Sequence, residues 1–126
     1  MKRSRFGAIL LAVLLVLGFG THWWMRKCQT SVADDLHLAA QQALAENWEE
    51  TDRLLRQAQN RWQHNYDFSA ALVDHEPLEQ ADSSFAMLSV WQAVKEPAAT
   101  AAGCLELEAQ IRALIEEQKL SWRNLL

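Results

Sequence analysis

The apolar positions of the chain follow two different patterns, one continuous and one periodic. The continuous pattern occupies positions 6–25, where the first fifteen residues are all apolar or Gly and the last five are Thr21, His22, Trp23, Trp24 and Met25. Twenty helical residues at about 1.5 Å each span roughly 30 Å, the thickness of the hydrocarbon core of a bilayer. This pattern predicts a transmembrane helix near the N-terminus.

The residues around this run indicate an uncleaved anchor and not a secretory signal. A cleavage site needs small residues at its −1 and −3 positions; Gly18 and Gly20 are the nearest match, but cleavage there would leave a mature end that begins with the apolar and aromatic residues 21–25. Trp23 and Trp24 suit the membrane–water interface, and Arg26 and Lys27 come directly after it. Three Lys or Arg residues precede the run and two follow it. We therefore expect a single-pass protein of the cell membrane, with its N-terminus inside and the remaining chain outside.

The periodic pattern begins beyond the anchor, where apolar residues recur every three or four positions, as in amphipathic helices. Pro occurs only at positions 77 and 97, and Gly after the anchor only at 103. The chain is accordingly divided into a basic tip with its anchor, residues 1–27, and an acidic helical domain, residues 28–126. The predicted fold class is all-α: one N-terminal transmembrane helix followed by a small four-helix bundle or two stacked helical hairpins.

Local signals place the boundaries of four outer helices. The first is expected over about 31–46, and because no helix breaker separates it from the anchor, it is expected to continue the membrane span. Asn47, with Glu50 three residues later, resembles a capping box that starts a second helix, which ends near Leu72. The third is predicted to start at the boundary 74–77, where Pro77 is tolerated in a first turn, and to end near Lys95, with Trp91 on its apolar stripe. The fourth begins at Pro97.

Charge restricts the partners of the outer domain. Residues 28–126 contain seven Lys or Arg against sixteen Asp or Glu. A domain this acidic is poorly suited to neutralising phosphates, which excludes nucleic acid as an expected partner. The expected partners are the lipid bilayer around the anchor and either another membrane protein or a second copy of the chain.

Each residue that could act as a metal ligand or general base can also be explained by a structural role. His75 lies between Asp74 and Glu76, as a metal ligand or general base would, but adjacent residues on a helix point in different directions. A role at the helix boundary is therefore favoured. Asp34 and His37 have the spacing of a helical metal motif, but they lack the second such motif that bundle sites require, so a solvated face is favoured.

Four Trp residues of the outer domain suggest either a ligand groove or a core. Trp62 and Trp91 fall on apolar stripes, which favours the core, and Trp48 is expected to pack at a hairpin turn. Trp122, close to Asn124, lies at an apolar C-terminal end that we expect to return toward the membrane. The two cysteines, Cys28 and Cys104, are expected at different heights of the bundle and therefore to form no intramolecular disulfide bond.

The arrangement of these features resembles a known family. The sequence A-E-N-W-E-E at 45–50, the second Trp at Trp62, V-D-H-E at 73–76 and the closing R-N-L-L at 123–126 are similar to the small membrane-anchored Firmicute proteins of domain of unknown function 4363. Pro77 and Pro97 depart from the usual pattern. The resemblance implies no enzyme activity, and it implies a partner, because members often neighbour a multi-spanning membrane protein.

These observations predict a membrane-anchored helical interaction module, an accessory or scaffold partner of another membrane protein, with no catalytic residue, cofactor or metal. The alternative is an extracytoplasmic sensor bundle that binds a peptide or a cation. A weaker alternative is a small metal-dependent enzyme around His75. The residues with an expected interaction or structural role are Trp48, Trp62, His75, Trp122 and Asn124.

Overall fold

The computed structural model describes the backbone of residues 2–72 and 75–125, and their side chains except those at positions 22, 65–77, 118, 121, 122 and 125. These residues form four α-helices and no strand. The helices are α1, Lys2–Leu44; α2, Trp48–Leu72; α3, His75–Ala93; and α4, Pro97–Leu125. The prediction of an all-α chain with four helices is confirmed.

Helix α1 joins the apolar segment to the bundle without a break. Its 43 residues correspond to a length of roughly 65 Å. The large apolar side chains between Phe6 and Phe19 are all exposed, and burial begins at Met25. α1 is the one helix of the described residues that is long enough and apolar enough to cross a membrane. The expected continuity between the apolar run and the first bundle helix is confirmed.

The four helices form a bundle in which consecutive helices contact each other and α1 also packs along α4. Asp34 of α1 pairs with Arg112 and His37 with Glu108, so α4 runs antiparallel to α1, back toward the apolar segment. The contact between α2 and α3 is the least extensive of the four. The core is one cluster of buried apolar side chains contributed by all four helices.

The turns after α1 and α3 are built in the same way. The N–H of Asn47 donates to the carbonyl of Gln42 and that of Glu46 to Ala43, which is the hydrogen-bond pattern of a Schellman motif. The same pattern recurs after α3, where the N–H of Glu96 donates to the carbonyl of Trp91 and that of Lys95 donates to the carbonyl of Gln92. The residue at the left-handed position is not Gly in either turn: Glu46 has φ 59° and Lys95 has φ 54°.

The two hairpins, α1–α2 and α3–α4, correspond to each other through a shift of 49 residues. Asp35 pairs with Arg61 at 3.0 Å, and the residues 49 positions later, Ser84 and Gln110, are hydrogen-bonded at 3.2 Å. Buried positions coincide as well. The pairs include Val32 and Ala81, Leu36 and Phe85, Thr51 and Thr100, Leu55 and Cys104, Ala58 and Leu107, and Trp62 and Ile111. The bundle is thus a pair of equivalent hairpins.

Two local predictions differ from the structure. The capping box at the start of α2 is not formed, because Glu50 is paired with Arg53 one turn later and the backbone N–H of Asn47, from which Glu50 would accept in a capping box, donates to the carbonyl of Gln42. Trp91 does not belong to the core: its side chain is 40% exposed. After Leu88 the inward position falls four residues on, at the half-buried Gln92, which donates to Asp52 of α2.

Candidate functional site

Beyond the apolar segment of α1, a row of exposed apolar side chains lies on the outside of α3. Met87, Val90, Trp91 and Val94 are 62%, 59%, 40% and 65% exposed. Their spacing of three, four and seven residues places them on one side of the helix. We call these four residues the α3 apolar face. Its geometry is that of a helix seam that lacks its partner helix.

The stretches of α3 and α4 beside this face contain few charged residues, although Glu106 lies at the groove between the two helices. No Asp, Glu, Lys or Arg occurs from Ser83 to Val94 or from Pro97 to Leu105, although the outer domain is otherwise rich in charge. A groove of about 400 Å³ runs beside the face between α3 and α4. Its α4 wall includes the small residues Ala99, Ala102 and Gly103, which permit close approach of another helix.

Gly103 allows the two walls of this groove to come together. A Cβ atom at this position would lie 3.0 Å from Cδ1 of Leu88, closer than ordinary van der Waals contact. The absence of a side chain therefore lets α3 approach α4 at the level of Leu88. The glycine inside the predicted fourth helix is explained by this packing, since α4 continues through it without interruption.

The first hairpin shows that the fold does not require apolar residues at these positions. The residues 49 positions before the α3 apolar face are Leu38, Gln41, Gln42 and Ala45, and they form an equivalent turn with polar side chains at two of the four sites. Exposed apolar side chains cost solubility and contribute little to stability. Packing of the fold therefore does not account for the apolar residues of the α3 face.

A second groove, of about 560 Å³, lies between α1 and α2 where the apolar segment of α1 ends. We call it the base groove. It is lined by Trp23, Trp24, Lys27, Cys28 and Ser31 of α1 and by Asn60, Arg61 and His64 of α2. The ammonium group of Lys27 lies 5.0 Å from the centre of the Trp23 ring, within cation–π distance. No carboxylate is among the lining residues.

The residues singled out from the sequence are dispersed over the bundle. Trp62 is buried in the core, where its ring centre lies 6.0 Å from that of Phe85, and Trp48 is half-buried against the core beside the first turn. Asn124 is exposed near the end of α4. His75 begins α3 and Trp122 lies in α4, but their side chains are outside the described residues. The described parts do not bring these residues together.

The Asp34–His37 motif forms part of a polar network between helices. Arg112 of α4 donates to Asp34 and to Glu108, and His37 lies 3.1 Å from Glu108. These hydrogen bonds raise the pKa of Arg112, with Glu108 as the larger cause. No group of three potential metal ligands occurs among the described residues. The network joins α1 to α4 at the bundle surface.

Both cysteines are free thiols, in agreement with the expectation of no disulfide bond. Cys104 is fully buried, and burial raises the pKa of its thiol to about 12. Because the thiolate is the reactive form, Cys104 is chemically inert in the folded chain. Cys28 is half-buried and lines the base groove.

Residues 24–125 match the family described as a domain of unknown function, DUF4363, and the chain belongs to this family. The match begins one residue before Met25, the first buried side chain of α1. No curated protein matches the chain. No solved structure matches it either.

Proposed function

We propose that the chain is a membrane-anchored interaction module, in which α1 holds the bundle at a membrane and the α3 apolar face binds a helix of another membrane protein. The observation that carries the proposal is this exposed, uncharged row of side chains, whose counterpart on the first hairpin is partly polar. A helical partner fits because the row has the spacing at which two helices meet.

The position of the face restricts what can cover it. Contacts between α1 and α4, and between α4 and α3, place residues 87–94 at the same height along the bundle as the part of α1 that ends at Leu44. This part lies about 14–20 residues beyond Met25, which is roughly 20–30 Å along the helix. A bilayer around the apolar segment does not extend that far. The occupant is therefore an extramembrane helix of the partner and not lipid.

The anchor makes a modest affinity sufficient. Restricting two proteins to one membrane raises their effective concentration, so that a weak contact is occupied most of the time. The distribution of basic residues around the apolar segment, three before it and two after it, favours an N-terminus inside and a bundle outside. The proposal contains no catalytic step.

Site-specific photo-cross-linking in the native host tests this proposal. The photoreactive residue p-benzoylphenylalanine is placed at Val90, and in a matched control at Gln41, its equivalent in the first hairpin. We expect a cross-link to one other membrane protein from position 90 and none from position 41. Equal products from both positions, or cross-links only between copies of the chain, would contradict the proposal.

A second experiment measures the strength of the contact. Val90→Gln with Val94→Gln removes two exposed apolar groups, and we expect at least roughly a tenfold loss of binding to the partner identified above. Because both side chains are more than half exposed, the thermal stability of the full chain in detergent should change little. A chain that unfolds would show that the face is structural.

The continuity of α1 favours sensing as a second candidate function. One uninterrupted helix from Lys2 to Leu44 connects the apolar segment with the core, so a ligand that shifts the bundle also shifts the segment. A peptide or cation that raises the melting temperature of the full chain would support this function, and screens without such a shift would weigh against it.

A further inference from the structure

The base groove, where the anchor segment meets the outer domain, differs in composition from the outer domain. Acidic residues outnumber basic ones by more than two to one in that domain, yet this groove is lined by Lys27, Arg61 and His64 and by no carboxylate. Lys27 has no ion-pair partner among the described residues. The composition indicates an anionic ligand.

The walls of the groove are fixed by contacts behind it. Arg61 is held by Asp35, whose carboxylate oxygen Oδ2 lies 3.0 Å from its Nη1. On the other wall the hydroxyl of Ser31 donates to the carbonyl of Lys27 at 3.0 Å. Trp23 supports the ammonium group of Lys27 through its ring face. Polar groups and aromatic surface thus meet within one groove of defined shape.

The location of the groove identifies the kind of anion. The groove opens at Trp23 and Trp24, directly after the exposed apolar segment that we propose to be inserted in a membrane. Tryptophan residues at this point correspond to the depth of lipid headgroups. A lipid whose acyl chains lie along the segment would place its phosphate next to Lys27. Basic pockets between helices at a membrane surface can hold anionic lipid headgroups.

We infer that the base groove binds the headgroup of an anionic phospholipid, with the phosphate at Lys27, Arg61 and His64 and the glycerol end against Trp23 and Trp24. The inference rests on the proposed membrane anchoring and extends it: the bundle would be held upright on the membrane by a bound lipid. It is independent of the α3 apolar face, which lies at the opposite end of the bundle.

Native mass spectrometry of the full chain in detergent tests the site. The protein is titrated with phosphatidylglycerol and, separately, with phosphatidylcholine. We expect a one-to-one complex with the anionic lipid, and about fivefold weaker binding of that lipid to Lys27→Gln, because one basic contact near a membrane surface contributes about 1 kcal/mol. Arg26→Gln is the matched control, since Arg26 is the adjacent exposed cation and does not line the groove.

Each outcome of this titration decides the inference. Equal losses for Lys27→Gln and Arg26→Gln, or equal binding of the two lipids, would overturn a specific site. Displacement of the lipid by millimolar inorganic phosphate would overturn the lipid as occupant and identify a site for free phosphate.

Cys28 provides an independent measurement within the groove. We expect phosphatidylglycerol to slow maleimide labelling of this thiol severalfold in the wild type and much less in Lys27→Gln, whereas the buried Cys104 stays unlabelled throughout. An unchanged labelling rate would place the bound lipid elsewhere.

Failure of the anchoring can be recognised separately. A full chain that is released from native membranes by alkaline carbonate is not anchored, whatever its lipid binding in detergent. A chain that resists carbonate but shows no preference for the anionic lipid retains the proposed function and loses the lipid site.

Discussion

Asp35 is the residue at which two electrostatic effects oppose each other. Its side chain is nearly buried, at 8% exposure for the whole residue, and it is paired with the half-exposed Arg61. Burial raises the pKa of Asp35, and the neighbouring charges of Arg61 and Arg53 lower it without cancelling the rise. The protonated carboxyl is therefore favoured more in the folded chain than in the unfolded chain.

This balance predicts how stability depends on pH. Between the unfolded pKa near 3.8 and the higher folded pKa, the folded chain binds more protons, so the contribution of Asp35 to the free energy of unfolding falls as pH rises. We expect the stability of the wild type relative to Asp35→Asn to be highest near pH 3.5 and to decrease toward pH 7. Denaturant unfolding of the full chain in detergent at several pH values measures the difference.

The adjacent Asp34 supplies the control. It is exposed and pairs with Arg112, so Asp34→Asn reports the loss of a surface carboxylate and its ion pair, without a change in any buried carboxyl group. A difference between wild type and Asp35→Asn that grows with pH would show that the ion pair with Arg61 outweighs the burial of the carboxylate.

At the scale of elements, the equivalence of the two hairpins provides a matched pair of hydroxyl groups. Thr51 and Thr100 are both fully buried in the first turns of α2 and α4. The backbone N–H of each donates to the carbonyl four residues earlier, that of Asn47 for Thr51 and that of Glu96 for Thr100. The hydroxyl of Thr51 donates to the carbonyl of Asn47 at 2.8 Å. The hydroxyl of Thr100 has no hydrogen-bond partner among the described residues.

The same substitution should therefore have opposite effects in the two hairpins. Thr51→Val removes a hydrogen bond and is expected to cost about 1 kcal/mol. Thr100→Val replaces an unsatisfied buried hydroxyl with a methyl group of similar size and is expected to stabilise the chain by up to about 1 kcal/mol. Chemical denaturation of the full chain in detergent compares the two. Equal destabilisation by both variants would indicate a hidden partner for Thr100.

The helices were predictable because their breakers are few and well placed. Pro77 and Pro97 lie in the first helical turns of α3 and α4, where the N–H that Pro lacks has no partner within the helix. The polar stretch around Asn47 coincides with the connection between α1 and α2. The apolar row on α3 was not predictable as a surface. Both sides of that helix carry apolar residues, so periodicity alone does not show which side faces the core.

The equivalence of the hairpins was hidden for a related reason. A comparison at the 34-residue period of tetratricopeptide repeats pairs Trp48 with Asp82 and finds nothing. At a shift of 49 residues the shared feature is burial, with Leu36 matching Phe85, and not residue identity. Each of the two grooves is lined by side chains from two helices. How those side chains line up depends on the packing of the helices, which the sequence pattern does not give.

At the scale of the whole molecule, the chain consists of an exposed apolar rod and a packed bundle that share one helix. The sequence pattern placed the boundary between residues 27 and 28. The first buried side chain is Met25, at 4% exposure, and the family match begins at residue 24. We therefore propose that the independently folding unit begins at residue 24, and that residues 2–20, none of which belongs to the buried core cluster, form the anchor.

Truncation tests where the folded unit begins. A chain of residues 24–126 is expected to be soluble and helical without detergent, whereas residues 28–126 lack Met25 and should be less stable by about 2 kcal/mol, the free energy of burying one large apolar side chain. Met25→Ala in the longer chain separates lost burial from fraying of the helix end, and should reproduce most of the difference. Urea unfolding followed by circular dichroism measures all three. Equal stability of the two truncated chains would move the boundary to residue 28, and an unfolded 24–126 chain would mean that the apolar segment stabilises the bundle as well as anchoring it.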